Sequence, residues 1–154
     1  MIKTVFIILF FTISCNIPKT DSRFNSTHIL AQNNHKIVLS EKYYKEGGIF
    51  EIVYQIDSTI ENENIIFTQQ YFIFDKIGNL NESGFQGLYN GIGVPVGTTI
   101  FYDTKGNVKK EIKYHNDEFG KDYILFKFYE KGKIIRSEKF NNYILYETEK
   151  RKIE

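Results

Sequence analysis

The sequence predicts an all-β fold, an open, twisted antiparallel sheet built from successive repeated β-hairpins. Three observations carry that expectation. Aromatic side chains are abundant, with 14 Phe and 11 Tyr among 154 residues. Such side chains suit pleated, half-buried strands better than helices, where Ala and Leu lead. From Lys36 onward apolar and polar residues alternate at period two, and no window of about twelve residues carries a helical i, i+3, i+4 stripe. Finally, a glycine-centred segment recurs along the chain. The length supports one domain with a tail. A formal net charge of +1 excludes the basic excess of a general nucleic-acid binder. A single cysteine excludes an internal disulfide framework and any Cys-based zinc site.

Residues 1–14 form the first element. Lys3 supplies a positive start and Thr4 to Ile13 an apolar stretch containing Val5, Phe6, Ile7, Ile8, Leu9, Phe10 and Phe11. As a helix that stretch would cover about 15 Å, half of a hydrocarbon core of about 30 Å. It therefore reads as a secretory signal and not as a spanning helix. It ends Thr12-Ile13-Ser14-Cys15, which resembles a bacterial lipoprotein signal. That resemblance implies cleavage before Cys15, lipidation of Cys15, and a location in the cell envelope on the periplasmic or surface side of a membrane. Ordinary signal cleavage, without lipid, and retention as an anchor are the competing readings; Thr12 stands where the motif usually has Leu or Val.

Residues 15–35 are polar and unpatterned apart from Ile29 and Leu30, and read as a flexible tether with room for a short strand or helical turn near Ile29. A coil of about 20 residues spans about 25 Å. Residues 36–154 form the β-repeat domain. In Asn107 to Tyr114, Val108, Lys110, Ile112 and Tyr114 fall on one face, with Asn107, Lys109, Glu111 and Lys113 on the other. Ile52, Tyr54 and Ile56 repeat the pattern earlier, and Ile124, Phe126 and Phe128 later. Acidic residues outnumber basic ones up to about Thr104, and the balance reverses beyond it.

The repeat becomes visible when the chain is aligned on glycine. Phe72-Ile73-Phe74-Asp75-Lys76-Ile77-Gly78-Asn79-Leu80 parallels Ile100-Phe101-Tyr102-Asp103-Thr104-Lys105-Gly106-Asn107-Val108 and Phe126-Lys127-Phe128-Tyr129-Glu130-Lys131-Gly132-Lys133-Ile134. A looser copy is Tyr43-Tyr44-Lys45-Glu46-Gly47-Gly48-Ile49. Each unit reads as a hairpin with Gly47, Gly78, Gly106 or Gly132 in the left-handed region of its turn. A lone hairpin is marginal in water, so the units must join into one sheet of about eight to ten strands.

The stretch Gly93-Val94-Pro95-Val96-Gly97-Thr98-Thr99-Ile100-Phe101-Tyr102-Asp103-Thr104-Lys105-Gly106-Asn107-Val108, running on to Tyr114, resembles the MORN-repeat variant of bacteria. The resemblance covers about Lys42 to Phe140 and is best at residues 97–114. The chain departs from the family in having Ile100-Phe101 where Trp is frequent, and in irregular spacing. Tyr102 to Val108 is also similar to a YD repeat, although three degenerate copies cannot enclose a shell. The MORN-variant resemblance implies a non-enzymatic protein-binding module with no cofactor, such as an antitoxin or immunity protein facing a cognate toxin. A structural envelope lipoprotein without a toxin partner is the alternative it leaves open.

No constellation for catalysis emerges. His28 and His35 lie in or near the tether, and His115 with Asp117 makes half a metal site at most. The carboxylate pairs Glu61/Glu63, Asp117/Glu118 and Glu147/Glu149 read as solvated strand edges, since Glu61 and Glu63 alternate with Asn and Glu147 and Glu149 lie beside Lys150-Arg151-Lys152. Gly91-Ile92-Gly93-Val94-Pro95-Val96-Gly97 lacks the spacing of a nucleotide-binding loop and reads as an inter-repeat loop. Tyr43, Tyr44, Tyr54, Tyr71, Tyr102, Tyr123 and Tyr129 are candidates either for an exposed binding face or for packing within the sheet.

Overall fold

Among the described residues, eight strands run in sequence order through one open antiparallel sheet, each paired only with its neighbours in sequence, so that β1 and β8 are the edges. They are β1 (Val38–Tyr43), β2 (Ile49–Asn62), β3 (Ile65–Phe74), β4 (Leu80–Tyr89), β5 (Ile92–Tyr102), β6 (Val108–His115), β7 (Tyr123–Glu130) and β8 (Lys133–Asn141). The computed structural model describes residues 25–62, 65–89, 91–115 and 121–142. Cys15, Glu63, Asp117, Glu118, Glu147 and Glu149 lie outside these residues. Among them, the all-β expectation holds, with one short helix, α1 (Ser26–Gln32), in addition.

The turns explain the meander. In two repeats the chain carries Asp-x-x-Gly-Asn, and the same hydrogen bonds close both loops. Asp75 N donates to Asn79 O and Gly78 N to Asp75 O; Asp103 N donates to Asn107 O and Gly106 N to Asp103 O. The Asp carboxylate ties the loop internally, with Asp75 Oδ1 accepting from Ile77 N and Asn79 N. Asp103 Oδ1 accepts from Lys105 N and Asn107 N in the same way. Gly78 and Gly106 take φ of +86° and +81°, the left-handed bulge position of a three-residue hairpin loop. Tyr44 to Gly48 closes with the same backbone pattern without an Asp, Gly47 having φ +90°. The last repeat differs: Tyr129 stands where the Asp would be, and the loop shortens to Lys131-Gly132 between the paired Glu130 and Lys133. That tighter turn places both residues at positive φ, +49° for Lys131 and +75° for Gly132.

The core divides into two clusters. Ile52, Tyr54, Phe72, Phe74, Leu80 and Tyr102 form one, toward the glycine-turn end of β2–β5, and α1 covers it with Ile29. The second lies toward the other end and joins Tyr89, Val94 and Val96 to the partly buried Phe67, Phe85, Ile92, Tyr114 and Ile124. Burial stops short of both edges: every residue of β1 is exposed, and neither β7 nor β8 has a buried one.

Two sequence expectations are corrected here. Residues 25–35 fall in the stretch read as tether, yet α1 is part of the folded unit. Asn25 caps it by accepting from Thr27 N, and Ser26 N donates to Gly78 O. Seven residues of helix are marginal alone; burying Ile29 against the sheet is what holds them. The Gly91–Gly97 segment is not a loop, because Ile92 onward belongs to β5, paired with β4 through Ile92, Gly93, Val94, Pro95 and Val96. Val94 and Val96 are buried at period two, and that burial outweighs the turn signal of the flanking glycines. Pro95 is tolerated because the β5–β6 register begins only at Thr98 among the described residues, so no ladder donor is lost toward β6.

Candidate protein-binding face

One row of directly opposed residues crosses all eight strands: Lys42, Glu51, Ile73, Glu82, Phe101, Lys110, Phe128 and Arg136, taken from β1 to β8. Opposed residues share a face of the sheet and touch through their side chains. Along this row chemistry changes halfway. On the β1–β4 half, Glu51 pairs with Lys42, and Glu82 accepts a 2.9 Å hydrogen bond from the Tyr71 hydroxyl. Tyr71 also meets Thr99 Oγ1 at 3.2 Å, and burial pushes its phenol well above the ordinary range.

On the β5–β8 half, aromatic rings alternate with cations. The Lys110 ammonium lies 3.7 Å from the Phe101 ring centroid, and the Arg136 guanidinium 4.0 Å from that of Phe128. Contacts of this kind contribute about 0.5–1 kcal/mol at exposed sites. Phe126, two residues from Phe128 on the same strand face, stacks near it at 6.4 Å and meets the edge of Phe140 at 5.3 Å. Phe140 remains 51% exposed, and Phe101, Lys110, Phe126 and Phe128 are half-buried. Arg136 also pairs with Glu138 at 3.2 Å. The arrangement is a mixed aromatic and cationic surface of about four strands' width, open to solvent, with rings held in place by their cations. Chemically it can stack against aromatic or aliphatic side chains and attract carboxylates.

The sequence-derived tyrosines do not form one face. Tyr54, Tyr71 and Tyr102 are buried, whereas Tyr43 is exposed on β1. Tyr129 donates a 2.6 Å hydrogen bond to Glu111 Oε2. That bond to a carboxylate, with partial desolvation and the negative charge added, pushes the phenol up to about 12. Tyr123 lies between the His115 ring, stacked at 4.2 Å, and the Lys139 ammonium at 3.8 Å. Among the described residues no three His, Cys, Asp or Glu side chains are grouped to hold a metal. His28 sits on α1, remote in sequence and element from His115 on β6. The Phe101, Lys110, Phe128 and Arg136 row was not legible in the sequence, since it requires cross-strand register; the repeat alignment alone would have placed Phe101 and Phe128 one position out of step.

No family model, no curated protein and no solved structure matches this chain. The functional reading therefore rests on the geometry of the face and on the motifs of the sequence.

Proposed function

We propose that this chain is a non-enzymatic protein-binding module, held at a bacterial cell envelope by a lipid on Cys15 and using its β5–β8 face to dock a protein partner. The observation that carries the reading is the row of half-buried rings and cations formed by Phe101, Lys110, Phe128 and Arg136, on the face of the sheet opposite the one that α1 covers. Aromatic and Arg side chains supply much of the binding energy at protein interfaces, where they pack into desolvated pockets on the partner. The resemblance to MORN-variant repeats supports a toxin domain as the partner, which makes the chain an antitoxin or immunity protein. Cations on the face favour an acidic patch on that partner.

The test is capture from the native envelope with the tagged chain, run beside a Phe128→Asp, Arg136→Asp double variant of unchanged far-UV circular dichroism. A single stoichiometric protein retained by the native face and lost from the variant supports the proposal. Co-expression should then relieve that protein's toxicity. Equal capture by both proteins, or recovery of abundant envelope proteins alone, would transfer the assignment to a structural lipoprotein.

A further inference from the structure

We propose that the glycine-turn end of the sheet is the surface that rests on the phospholipid bilayer, with Ile77 and the turn lysines among the headgroups. The inference rests on the proposed lipid at Cys15 and adds which end of the domain meets the membrane. In an antiparallel meander every second connection falls at the same end. The turns at Tyr44–Gly48, Asp75–Asn79, Asp103–Asn107 and Glu130–Lys133 therefore share one end of the sheet. The chain enters the fold there too, since Ser26 N donates to Gly78 O at 2.7 Å and Asn25 bridges to Asn79. Residues 16–24 alone separate Asn25 from Cys15. Those ten Cα steps reach about 36 Å at full extension. A leash of that length, tied at the turn end, keeps that end beside the bilayer. The opposite end, about 30 Å away along β4, reaches lipid only when the domain turns over.

The side chains at the turn end suit a headgroup layer. Each of the four turns carries an exposed lysine, Lys45, Lys76, Lys105 and Lys131, and Lys133 follows the last. Acidic residues share these turns, with Glu130 exposed beside Lys131. The carboxylates of Asp75 and Asp103, however, turn back onto their own loop amides, and Glu46 pairs with Lys76 at 3.7 Å. Lysine stems lie along apolar surface while their ammonium groups reach phosphate oxygens. Ile77 is 78% exposed, the most of any large hydrophobic residue among those described. It stands at the tip of a loop fixed by the Asp75 carboxylate on Ile77 N, and it belongs to neither core cluster. The loop itself does not require it, because Lys105 fills the matching position beside Asp103. Tyr43, Ile134 and Ile135 are also exposed close to the turns. Isoleucine and tyrosine set among lysines is a mixture that the membrane–water interface accepts, with apolar groups at the acyl boundary and cations at the phosphates.

This placement orients the candidate binding row. Phe101, Lys110, Phe128 and Arg136 stand two or three residues from the turns of their strands, about 7–10 Å from the tips. The row then opens sideways just above the headgroups, so a protein docking on it meets this chain at the membrane surface.

The experiment reads depth at single positions. The chain, expressed from its full sequence and purified from cell membranes, is reconstituted into liposomes of phosphatidylethanolamine and phosphatidylglycerol. A nitroxide-bearing lipid, labelled near the top of its acyl chain, is present or absent. A nitrobenzoxadiazole dye is attached to Ile77→Cys, to Thr104→Cys at the next turn, or to Leu88→Cys toward the opposite end of β4. Wild type is treated first, because a lipid on the Cys15 sulfur leaves no thiol to label. Labelling of wild type would overturn the anchor and this proposal together. With wild type unlabelled, the dyes at Ile77→Cys and Thr104→Cys should lose emission to the nitroxide, and the former should shift to the blue. The dye at Leu88→Cys should emit as it does in water. Adding Lys105→Glu and Lys131→Glu, which leave the Asp75–Asn79 loop intact, should return the Ile77→Cys dye toward its emission in water. Quenching at Leu88→Cys equal to or above that at Ile77→Cys overturns the membrane contact while the Cys15 anchor stands. Quenching at Ile77→Cys that survives both charge reversals does the same.

Discussion

Gly87 tests the strand packing most severely. It lies on β4 between Phe67 of β3 and Val94 of β5. A Cβ at that position would stand 2.3 Å from the Ile66 carbonyl oxygen and 3.1 Å from Val96 Cγ1. Ordinary carbon-to-carbonyl contacts begin near about 3.3 Å, so Gly87→Ala must push β3 from β4 by about 1 Å. Both neighbours are themselves paired strands, and the obstructing atom is backbone, so relief by a rotamer change is not open to it. Overpacking of this kind costs about 1–3 kcal/mol, and a weakened ladder hydrogen bond adds about 1 kcal/mol. A total of about 2–4 kcal/mol corresponds to a fall in Tm of about 6–20 °C for a domain of this size. The comparison variant is Gly132→Ala, where φ is +75° and nothing lies within 4 Å. There the left-handed backbone alone costs about 1–2 kcal/mol, partly offset by about 0.4–1 kcal/mol from a less entropic unfolded chain. Thermal unfolding of both variants by far-UV circular dichroism, in one detergent buffer, separates the two effects. Melting of Gly87→Ala at or above the temperature of Gly132→Ala would refute the packing argument.

Further outcomes follow from other positions. Ile29→Ala should destabilise the domain by about 2–4 kcal/mol, read as a lower urea midpoint, with faster amide exchange in α1 than in β4. For Asp103, partial burial opposes the charge, but hydrogen bonds from the Asn107 side chain and from the Asn107 and Lys105 amides outweigh it and hold the carboxyl below 3.8. A folded-state pKa below the unfolded one stabilises at pH values above 3.8 and is lost as pH falls through the folded value. The urea midpoint should therefore drop less between about pH 6 and pH 3 in Asp103→Asn than in wild type; equal drops would remove Asp103 from the acid response. Glu111→Gln removes the carboxylate that raises Tyr129, so absorbance titration should show one phenol moving down from about 12. Phe101→Ala and Phe128→Ala should each change Tm by only a few degrees, because neither ring belongs to a core cluster.

What could be read from the sequence was local. Period-two alternation fixed a shared face for Lys110, Ile112 and Tyr114, whereas the register shift beside Tyr102 turns Val108, expected on that face, to the other side, and Asp-x-x-Gly-Asn fixed the loops at Asp75–Asn79 and Asp103–Asn107. Both depend on residues near in sequence, whose φ preferences and side-chain hydrogen bonds act without the rest of the fold. Of α1 only a short strand or helical turn near Ile29 was legible, because its stabilisation is tertiary: Ile29 and Leu30 are two apolar residues in a polar stretch until Gly78 and the sheet are placed beside them. β5 was hidden for a related reason. Gly93, Pro95 and Gly97 signal a turn locally, and only β4, which buries Val94 and Val96 and supplies their ladder, reverses that preference. The row from Lys42 to Arg136 is further removed, since each step depends on a register set by another hairpin and by the bulges between them.

The repeats are alike in sequence but not in what surrounds them, and the difference follows the residue two places after each turn glycine. Leu80 is 3% exposed, Val108 packs against the same cluster, and Ile134 is 54% exposed. α1 docks over the first of these turns and does not extend to the last. Beyond Ile112, Tyr114 and Ile124, which still reach the core, β7 and β8 are therefore held mainly by ladder hydrogen bonds and by rings under cations, with no buried residue in either strand. That is the weaker kind of stabilisation per residue. If the half of the sheet beyond β6 persisted without further cover, its amides should exchange faster than those of β3 and β4 in the isolated chain. A partner on the Phe128 face would slow them selectively. Exchange rates in β7 and β8 equal to those in β3, measured on the isolated chain, would show that this half needs no cover and would weaken the case for such a partner.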